Sequence, residues 1–287
     1  MPSLLRSQAL DIRVPLSANA ATTRDLHTYK PLESNTLLVR QLNWEIHPGE
    51  SWVILGPNGA GKSRLLQVLS GLQQPEPNTL YWRDQPFSTQ PSRQRAQQLG
   101  LVLQQPSTGL QNTTLDMVLS GRYPAHTGWY TDNAADRRIA YQALAEVGLS
   151  HKADVALTAL SGGEHRRADI ARLLVQNPTL AMLDEPLNHL DVSQQLNILQ
   201  VLRHHFQTSE QALIMVLHDL NLARHIATHC LLLYGDGRWR AGTIQATANV
   251  STLSELMGYP LLEYDTPSGK RLGVDYPTFT NVSCVLE

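Results

Sequence analysis

Residues 56–63 carry the most specific chemical pattern of this 287-residue chain. The segment reads Gly56, Pro57, Asn58, Gly59, Ala60, Gly61, Lys62 and Ser63. An apolar run precedes it and a run with leucines at helical spacing follows it, so its backbone N–H groups would converge on phosphate oxygens at a helix N-terminus. Lys62 would reach the β- and γ-phosphates of a nucleotide, and the Ser63 hydroxyl would ligate Mg²⁺. The pattern predicts a phosphate-binding loop rather than an ordinary strand-to-helix turn.

Two adjacent carboxylates, Asp184 and Glu185, follow the apolar run 180–183. Open parallel sheets bind ligands at the edge where their strands end. Asp184 would hold Mg²⁺ there, directly or through water, and Glu185 would polarise an attacking water as general base. Taken alone, a pair of acidic residues is equally typical of a solvated strand end.

A second glycine-containing segment opens a run that we predict to be a helix, where its N–H groups again suit an anion. The segment reads Leu160, Ser161, Gly162, Gly163 and Glu164. With this LSGGE sequence placed between the phosphate loop and the Asp184–Glu185 pair, the chain resembles the nucleotide-binding ATPase subunit of ABC transporters. The resemblance covers about residues 4–242.

The resemblance implies that ATP and Mg²⁺ are the cofactors and that two copies of the chain form a head-to-tail dimer with two composite sites. Ser161, Gly162 and Gly163 of one copy would cap the ATP held by the phosphate loop of the other. Asp191 matches the aspartate of the loop that crosses between subunits, and it is equally suited to be the N-cap of a predicted helix at 192–206. Neither site would be complete in a monomer.

Two further positions match catalytic groups of the family. Gln105 lies where the family has the glutamine that senses Mg²⁺ and orients the water, and the neighbouring Gln104 leaves this assignment open by one residue. His218 follows the apolar run 212–217 and matches the switch histidine, which hydrogen-bonds the γ-phosphate. The resemblance thus implies that Glu185, His218 and Gln105 are catalytic. It implies Ser63, Gln105 and Asp184 as the metal-binding residues.

The adenine site departs from the family pattern. The family usually has an aromatic residue after the first strand, whereas residues 10–15 contain none. His27 or Tyr29, in the polar stretch 17–35, could stack on adenine instead, or could simply belong to a surface loop.

Strands alternate with helices along the chain, which indicates an α/β fold with a mainly parallel sheet. The resemblance implies a P-loop NTPase core of the RecA-like type with an antiparallel β subdomain and a helical insert at about residues 106–174. The turn residues 47–50 predict a hairpin between strands at 37–46 and 51–55. These strands would lead into the phosphate loop.

The end of the chain is less diagnostic. We assign residues 1–242 to the ATPase domain and residues 243–287 to a short C-terminal extension. This extension is predicted to contain a helix at 252–257 and a small hairpin.

The charge balance argues against a dedicated nucleic-acid binder. The chain has 23 basic and 25 acidic residues, so no overall positive field exists to release counterions from a nucleic acid. Cys230 and Cys284 lack metal-ligand spacing and are predicted to be free thiols. No apolar run approaches the roughly 20 residues of a membrane-spanning helix. A role at the membrane would therefore depend on a partner.

Within the family, the segments 121–126 and 218–223 are most similar to subunits that energise importers of iron-siderophores, haem or cobalamin. The implied partners are a transmembrane permease and, indirectly, an extracytoplasmic substrate-binding protein, with the chain at the cytoplasmic face of the inner membrane. A permease helix would dock at residues 105–123, where Leu110 and the run 115–119 offer apolar anchors or else pack the insert's own core. The alternatives are a soluble ABC-type ATPase of repair or translation, a transporter for another substrate, and a phosphate-loop kinase.

Overall fold

The computed structural model describes residues 2–14, 36–104, 113–126, 133–267 and 269–275. Its strands are β1 (Leu5–Arg13), β2 (Leu37–Ile46), β3 (Ser51–Leu55), β4 (Leu80–Trp82), β5 (Gln85–Pro86), β6 (Leu99–Val102), β7 (Leu180–Asp184), β8 (Ala212–Val216), β9 (His229–Leu233), β10 (Trp239–Thr243), β11 (Leu261–Thr266) and β12 (Gly269–Val274). Its α-helices are α1 (Lys62–Leu69), α2 (Ser92–Gln98), α3 (Thr114–Leu119), α4 (Ala134–Glu146), α5 (Gly162–Gln176), α6 (Val192–Phe206), α7 (Leu220–Ile226), α8 (Ile244–Thr247) and α9 (Val250–Met257). The predictions made for His27, Tyr29, Gln105, Leu110 and Cys284 fall outside the described residues.

The central sheet has the strand order β10-β9-β3-β8-β7-β6. Every pair in it is parallel except the edge pair of β10 with β9. Strands β3, β7 and β8 are buried at every position because both faces of the sheet are covered. The predicted α/β class with a mainly parallel sheet is confirmed. The carboxyl ends of β3, β7 and β8 therefore meet at one edge of the sheet.

A second sheet, of order β2-β1-β4-β5, is antiparallel, as expected for the β subdomain. The predicted hairpin at residues 47–50 is wrong, because β2 pairs with β1 whereas β3 lies between β8 and β9. Strand β3 is apolar on both faces and is buried throughout, so a two-stranded hairpin would leave one of its faces in water. Residues 47–50 instead connect two different sheets.

The helical insert is built from α3, α4 and α5, which pack against one another. A capping box at Thr113 and Asp116 begins α3, and Asn133 caps α4 by accepting a hydrogen bond from the Asp136 N–H. The residues of α3 at 115 and 117–119 are buried in the core that the insert shares with the central sheet. They therefore pack the insert's own core and are not exposed anchors for a partner.

The C-terminal extension contains α8, α9 and the hairpin of β11 with β12, which confirms the predicted helix and hairpin. The hairpin packs against α7 and α9. Among the described residues, no helix combines the length and apolarity needed to cross a bilayer. Cys230 is free and buried, and this burial raises the pKa of its thiol to about 12.

Candidate active site

The loop between β3 and α1 depends on glycine at three positions for different reasons. A Cβ on Gly56 would lie 2.3 Å from the Leu233 carbonyl oxygen, so only glycine allows the loop to pass against β9. Gly59 (φ 81°) and Gly61 (φ 95°) adopt left-handed backbone conformations that other residues rarely tolerate. A Cβ on Gly59 would meet nothing within 4 Å. The loop is thus packed on one side and open on the other.

Lys62 begins α1, and its ammonium group contacts the start of the preceding loop. Its Nζ donates to the carbonyl oxygens of Gly56 at 2.8 Å and Pro57 at 2.9 Å. Burial lowers the pKa of this ammonium, and the nearby Glu185 and Asp184 carboxylates oppose that shift. A poorly hydrated cation at a helix N-terminus favours an anionic ligand.

Asp184 ends β7 and is only 1 % exposed. Burial raises the pKa of its carboxyl group, and a hydrogen bond from Ser63 acts in the opposite direction. Its Oδ1 is buried and has no hydrogen-bond partner among the described residues. A carboxylate oxygen without a partner beside a serine hydroxyl suits a hard divalent cation. These two residues fit the metal-binding role predicted for them.

Glu185 is held by side chains from three separate segments. Its Oε2 accepts hydrogen bonds from Gln104 Nε2 at 2.9 Å and from Asn188 Nδ2, and its Oε1 lies 2.7 Å from His218 Nε2. Gln104 follows β6 and His218 follows β8, the two neighbours of β7. The sheet therefore brings together the predicted general base and switch histidine. Glu185 also has a positive φ of 50°, an unfavourable backbone conformation of the kind found at functional sites.

The glutamine in contact with Glu185 is Gln104. Gln105 lies outside the described residues, so its predicted role stays a prediction. Asn188 was not predicted as a site residue. Its spacing of three residues after Glu185, across a turn in which Asn188 N donates to Glu185 O, is the signal that could have suggested it.

Arg166 is a buried residue of α5 that the sequence did not single out. Its Nη1 donates to the Leu103 carbonyl at 2.5 Å and its Nη2 to the Gln104 carbonyl at 2.7 Å. One guanidinium thus fixes the segment after β6 from the helix that begins at Ser161. No local sequence pattern indicates this contact, because the partners are 62 and 63 residues apart.

A cavity of about 710 Å³ lies over the phosphate loop. Its described lining consists of Val14, Leu38, Asn58, Gly59, Gly61, Lys62, Ser63, Arg64, Gln104, Glu185 and His218. The loop thus faces the Glu185 cluster across one cavity, with the apolar Val14 and Leu38 also in its wall. These described lining residues include no Phe, Tyr or Trp, so the residue that stacks on adenine stays a prediction.

The LSGGE segment begins α5 with a capping box. Ser161 N donates to Glu164 Oε2 at 2.9 Å, and Glu164 N donates back to Ser161 Oγ at 3.3 Å. The bond from the Ser161 backbone is the main reason that the pKa of the Glu164 carboxyl is lowered. A Cβ on Gly163 would lie 2.7 Å from the His189 carbonyl, so glycine is required for packing here. No described residue from 160–164 lines the cavity over the phosphate loop.

Asp191 caps α6, with its Oδ1 accepting from Gln194 N at 2.8 Å. This confirms its predicted capping role and the predicted bounds of the helix. Because Gly163 packs on His189, the LSGGE segment and the loop before Asp191 lie side by side. A role for Asp191 between subunits stays a prediction.

Comparison with known proteins matches residues 39–188 to the family model described as ABC transporter. The chain is 37 % identical over 222 residues to the hemin import ATP-binding protein of Methylobacillus flagellatus, covering 75 % of this chain and 81 % of that protein. It is 31 % identical over 230 residues to the ferric enterobactin transport ATP-binding protein of Escherichia coli, covering 80 % and 85 %. A solved metal-chelate type ABC transporter in an inward-facing conformation aligns with a TM-score of 0.75 and 26 % identity. That alignment covers 96 % of this chain and 99 % of the solved chain.

Proposed function

Because this chain belongs to the ABC transporter family and is an ATPase of that family, we propose that it energises an importer. The cargo would be a metal chelate of the iron-siderophore, haem or cobalamin type. The similar proteins named for hemin import and ferric enterobactin transport support this cargo class. They favour an importer over a soluble ATPase of repair or translation.

The observation that carries the ATPase mechanism is the Glu185 carboxylate facing the phosphate loop across one cavity. Glu185 would accept the proton of the attacking water, because its oxygens are oriented by Gln104 and His218. His218 would contact the γ-phosphate, and Lys62 would reach the β- and γ-phosphates by leaving the loop carbonyls that it now contacts.

Ser63 and Asp184 would hold Mg²⁺, since Asp184 Oδ1 is buried and no described residue hydrogen-bonds to it. Gln104 or its neighbour Gln105 would complete the set through the segment that Arg166 fixes. When bound, Mg²⁺ neutralises charge on the β- and γ-phosphates. The protein's own contribution would be to hold the attacking water in the correct orientation to the γ-phosphate.

The position of the LSGGE segment supports a head-to-tail dimer. Ser161, Gly162 and Gly163 are absent from the described lining of the chain's own cavity. They would cap the ATP of a second copy, and Asp191, on the adjacent loop, would lie at the same interface. Each active site would then draw its phosphate loop from one copy and its capping segment from the other.

The permease would bind the cleft between the central sheet and the helical insert. This cleft of about 240 Å³ includes Leu101 from β6, Gly121 and Pro124 from the insert, and Leu173 from α5. Tyr123 lies beside it and is half exposed. Binding there would place the chain at the cytoplasmic face of the inner membrane. On the opposite side of the membrane, the permease would receive cargo from an extracytoplasmic substrate-binding protein.

Affinity purification of the tagged chain from detergent-solubilised membranes tests the importer proposal. We expect a polytopic permease to copurify. Tyr123→Ala, at a half-exposed position of the insert, should reduce that copurification and keep the phosphate loop intact. Cells lacking the gene should lose uptake of one probe among a radiolabelled iron-siderophore, hemin and cyanocobalamin. Copurification of ribosomes or DNA-repair proteins with normal uptake of all three would contradict the proposal.

A further inference from the structure

The side chain of Asn221 joins α7 to the C-terminal hairpin. Asn221 Nδ2 donates to the Leu272 carbonyl at 3.0 Å, and Leu272 N donates to Asn221 Oδ1 at 2.7 Å. The amide of Asn221 thus pairs with both backbone groups of a single residue in β12. The two residues are 51 positions apart, so this contact belongs to tertiary packing.

Two further contacts fix α7 to the same hairpin. Leu261 and Leu272 are buried in the core that contains Ala223 from α7. Arg224 Nη2 contacts Glu263 Oε1 on β11 at 2.9 Å. The hairpin is therefore packed, hydrogen-bonded and ion-paired to α7, not merely adjacent to it.

Helix α7 depends on such contacts for its orientation. It has seven residues, and helices this short are not stable by themselves in water. Asp219 caps its first turn by accepting from Leu222 N at 2.9 Å. That cap stabilises the start of the helix but does not orient it against the rest of the molecule.

His218 directly precedes this short helix. Its side chain is 47 % exposed, so burial does not hold the imidazole in place. Strand β8 ends at Val216, and residues 217–219 alone connect that strand to α7. The backbone of His218 is thus set from one side by the central sheet and from the other side by α7.

We propose that Asn221 is a positioning residue for ATP hydrolysis. By tying α7 to Leu272, it sets the angle at which the imidazole of His218 meets Glu185. The C-terminal extension is then part of the catalytic machinery, although none of its described residues lines the cavity. This inference rests on the proposed function, in which His218 contacts the γ-phosphate.

The contact of Asn221 with Leu272 should affect ATP hydrolysis and leave nucleotide binding unaffected. The phosphate loop lies between β3 and α1, and Lys62 begins α1, whereas the Asn221 amide pairs with Leu272 on β12. Loss of the Asn221 amide should therefore lower kcat and leave the affinity for ATP unchanged. A general loss of folding would change both.

The experiment measures ATPase kcat, KM, the Kd for ATP and the melting temperature of the full chain. Asn221→Ala should lower kcat about tenfold, within the loss expected when a group is misplaced by up to 1 Å, with the Kd for ATP within about twofold of wild type. Asn221→Asp keeps the acceptor for Leu272 N and loses the donor to the Leu272 carbonyl. Its kcat should therefore lie between those of wild type and Asn221→Ala. Asp265→Asn is the matched control, because Asp265 is exposed on β11 of the same hairpin.

Asp265→Asn should retain the kcat of wild type. Wild-type kcat in Asn221→Ala would overturn the proposal, as would a parallel loss of kcat and ATP affinity. If Asn221→Ala does not fold, Asn221→Asp decides the question by the same two measurements. A wild-type chain that binds but never hydrolyses ATP would contradict the proposed function itself, which is a different result from a variant that matches an active wild type.

Discussion

The two helix starts that suit phosphate, at α1 and at α5, are built in opposite ways. Gly61, the N-cap of α1, forms no side-chain cap, and Lys62 lies buried beside it. At α5, Ser161 and Glu164 close a capping box between themselves. The first start leaves its backbone donors open over a cavity, whereas the second satisfies two of its donors internally.

This difference indicates different roles for the two helix starts. The start of α1 would bind the nucleotide, and the start of α5 would complete the nucleotide site of another copy. The start of α1 combines open N–H groups, an ammonium and a neighbouring carboxylate in one chain, and these groups would hold a nucleotide. At α5, the capping box occupies the N–H groups of Ser161 and Glu164 and leaves those of Gly162 and Gly163 free. The LSGGE segment would therefore offer the N–H groups of Gly162 and Gly163 to a site formed mainly by another copy.

Glu185→Gln should separate binding from turnover at the α1 site. The amide keeps the shape of the side chain and removes the general base, so kcat should fall by about 10²–10⁴-fold. The Kd for ATP should stay near wild type, and light scattering should show an ATP-bound dimer. Glu45→Gln is the matched control, because the Glu45 side chain on β2 is 53 % exposed. Steady-state turnover close to wild type would remove Glu185 from this role.

Ser161→Arg should test whether the α5 start acts on the partner. We expect about 100-fold lower ATPase activity, since a bulky cation replaces a group that meets charge only in the closed site. Binding of ATP to the monomer should be unchanged. Mixing this variant with Lys62→Ala should restore activity, because one site then pairs an intact loop with an intact LSGGE segment. A loss of monomer affinity as large as that of Lys62→Ala would show that Ser161 serves its own loop.

Arg166→Gln should weaken the link between α5 and the segment that follows β6. The shorter amide cannot reach both the Leu103 and Gln104 carbonyls, so we expect kcat to fall about tenfold through a displaced Gln104. ATP affinity should be retained. Arg167→Gln is the neighbouring control, since Arg167 contacts Val147 and Gly148 instead. Equal effects of the two variants would argue against a specific link.

Asp184→Asn should raise the melting temperature of the nucleotide-free chain at neutral pH. Burial raises the pKa of this carboxyl, so its contribution to stability is complete below the unfolded-state pKa and is lost as pH rises through the folded-state pKa. The asparagine removes that loss of stability. In a chain of this size, each kcal/mol gained in the free energy of unfolding should raise the melting temperature by about 2–4 °C. Scanning calorimetry across pH should show the difference vanish in acid. A lower melting temperature for the variant at neutral pH would contradict this reading of the site.

Local sequence predicted the elements that carry the site more completely than it predicted the contacts between them. The bounds of α6 and its cap at Asp191 were predicted to the residue, because an N-cap and an apolar period are read within one segment. The turn at residues 47–50 was recognised, but its role was wrong, since the sheet that β3 joins depends on β8 and β9 much later in the chain.

The sequence by itself determined the phosphate loop, the Asp184–Glu185 pair and the LSGGE segment, since each is a short run whose chemistry depends on its own spacing. Only the tertiary structure decided that Gln104 contacts Glu185, that Arg166 fixes residues 103 and 104, and that Asn221 pairs with Leu272. The first of these contacts joins residues 81 positions apart. Such pairings follow from strand order and core packing, which fix distances between segments that no local pattern encodes.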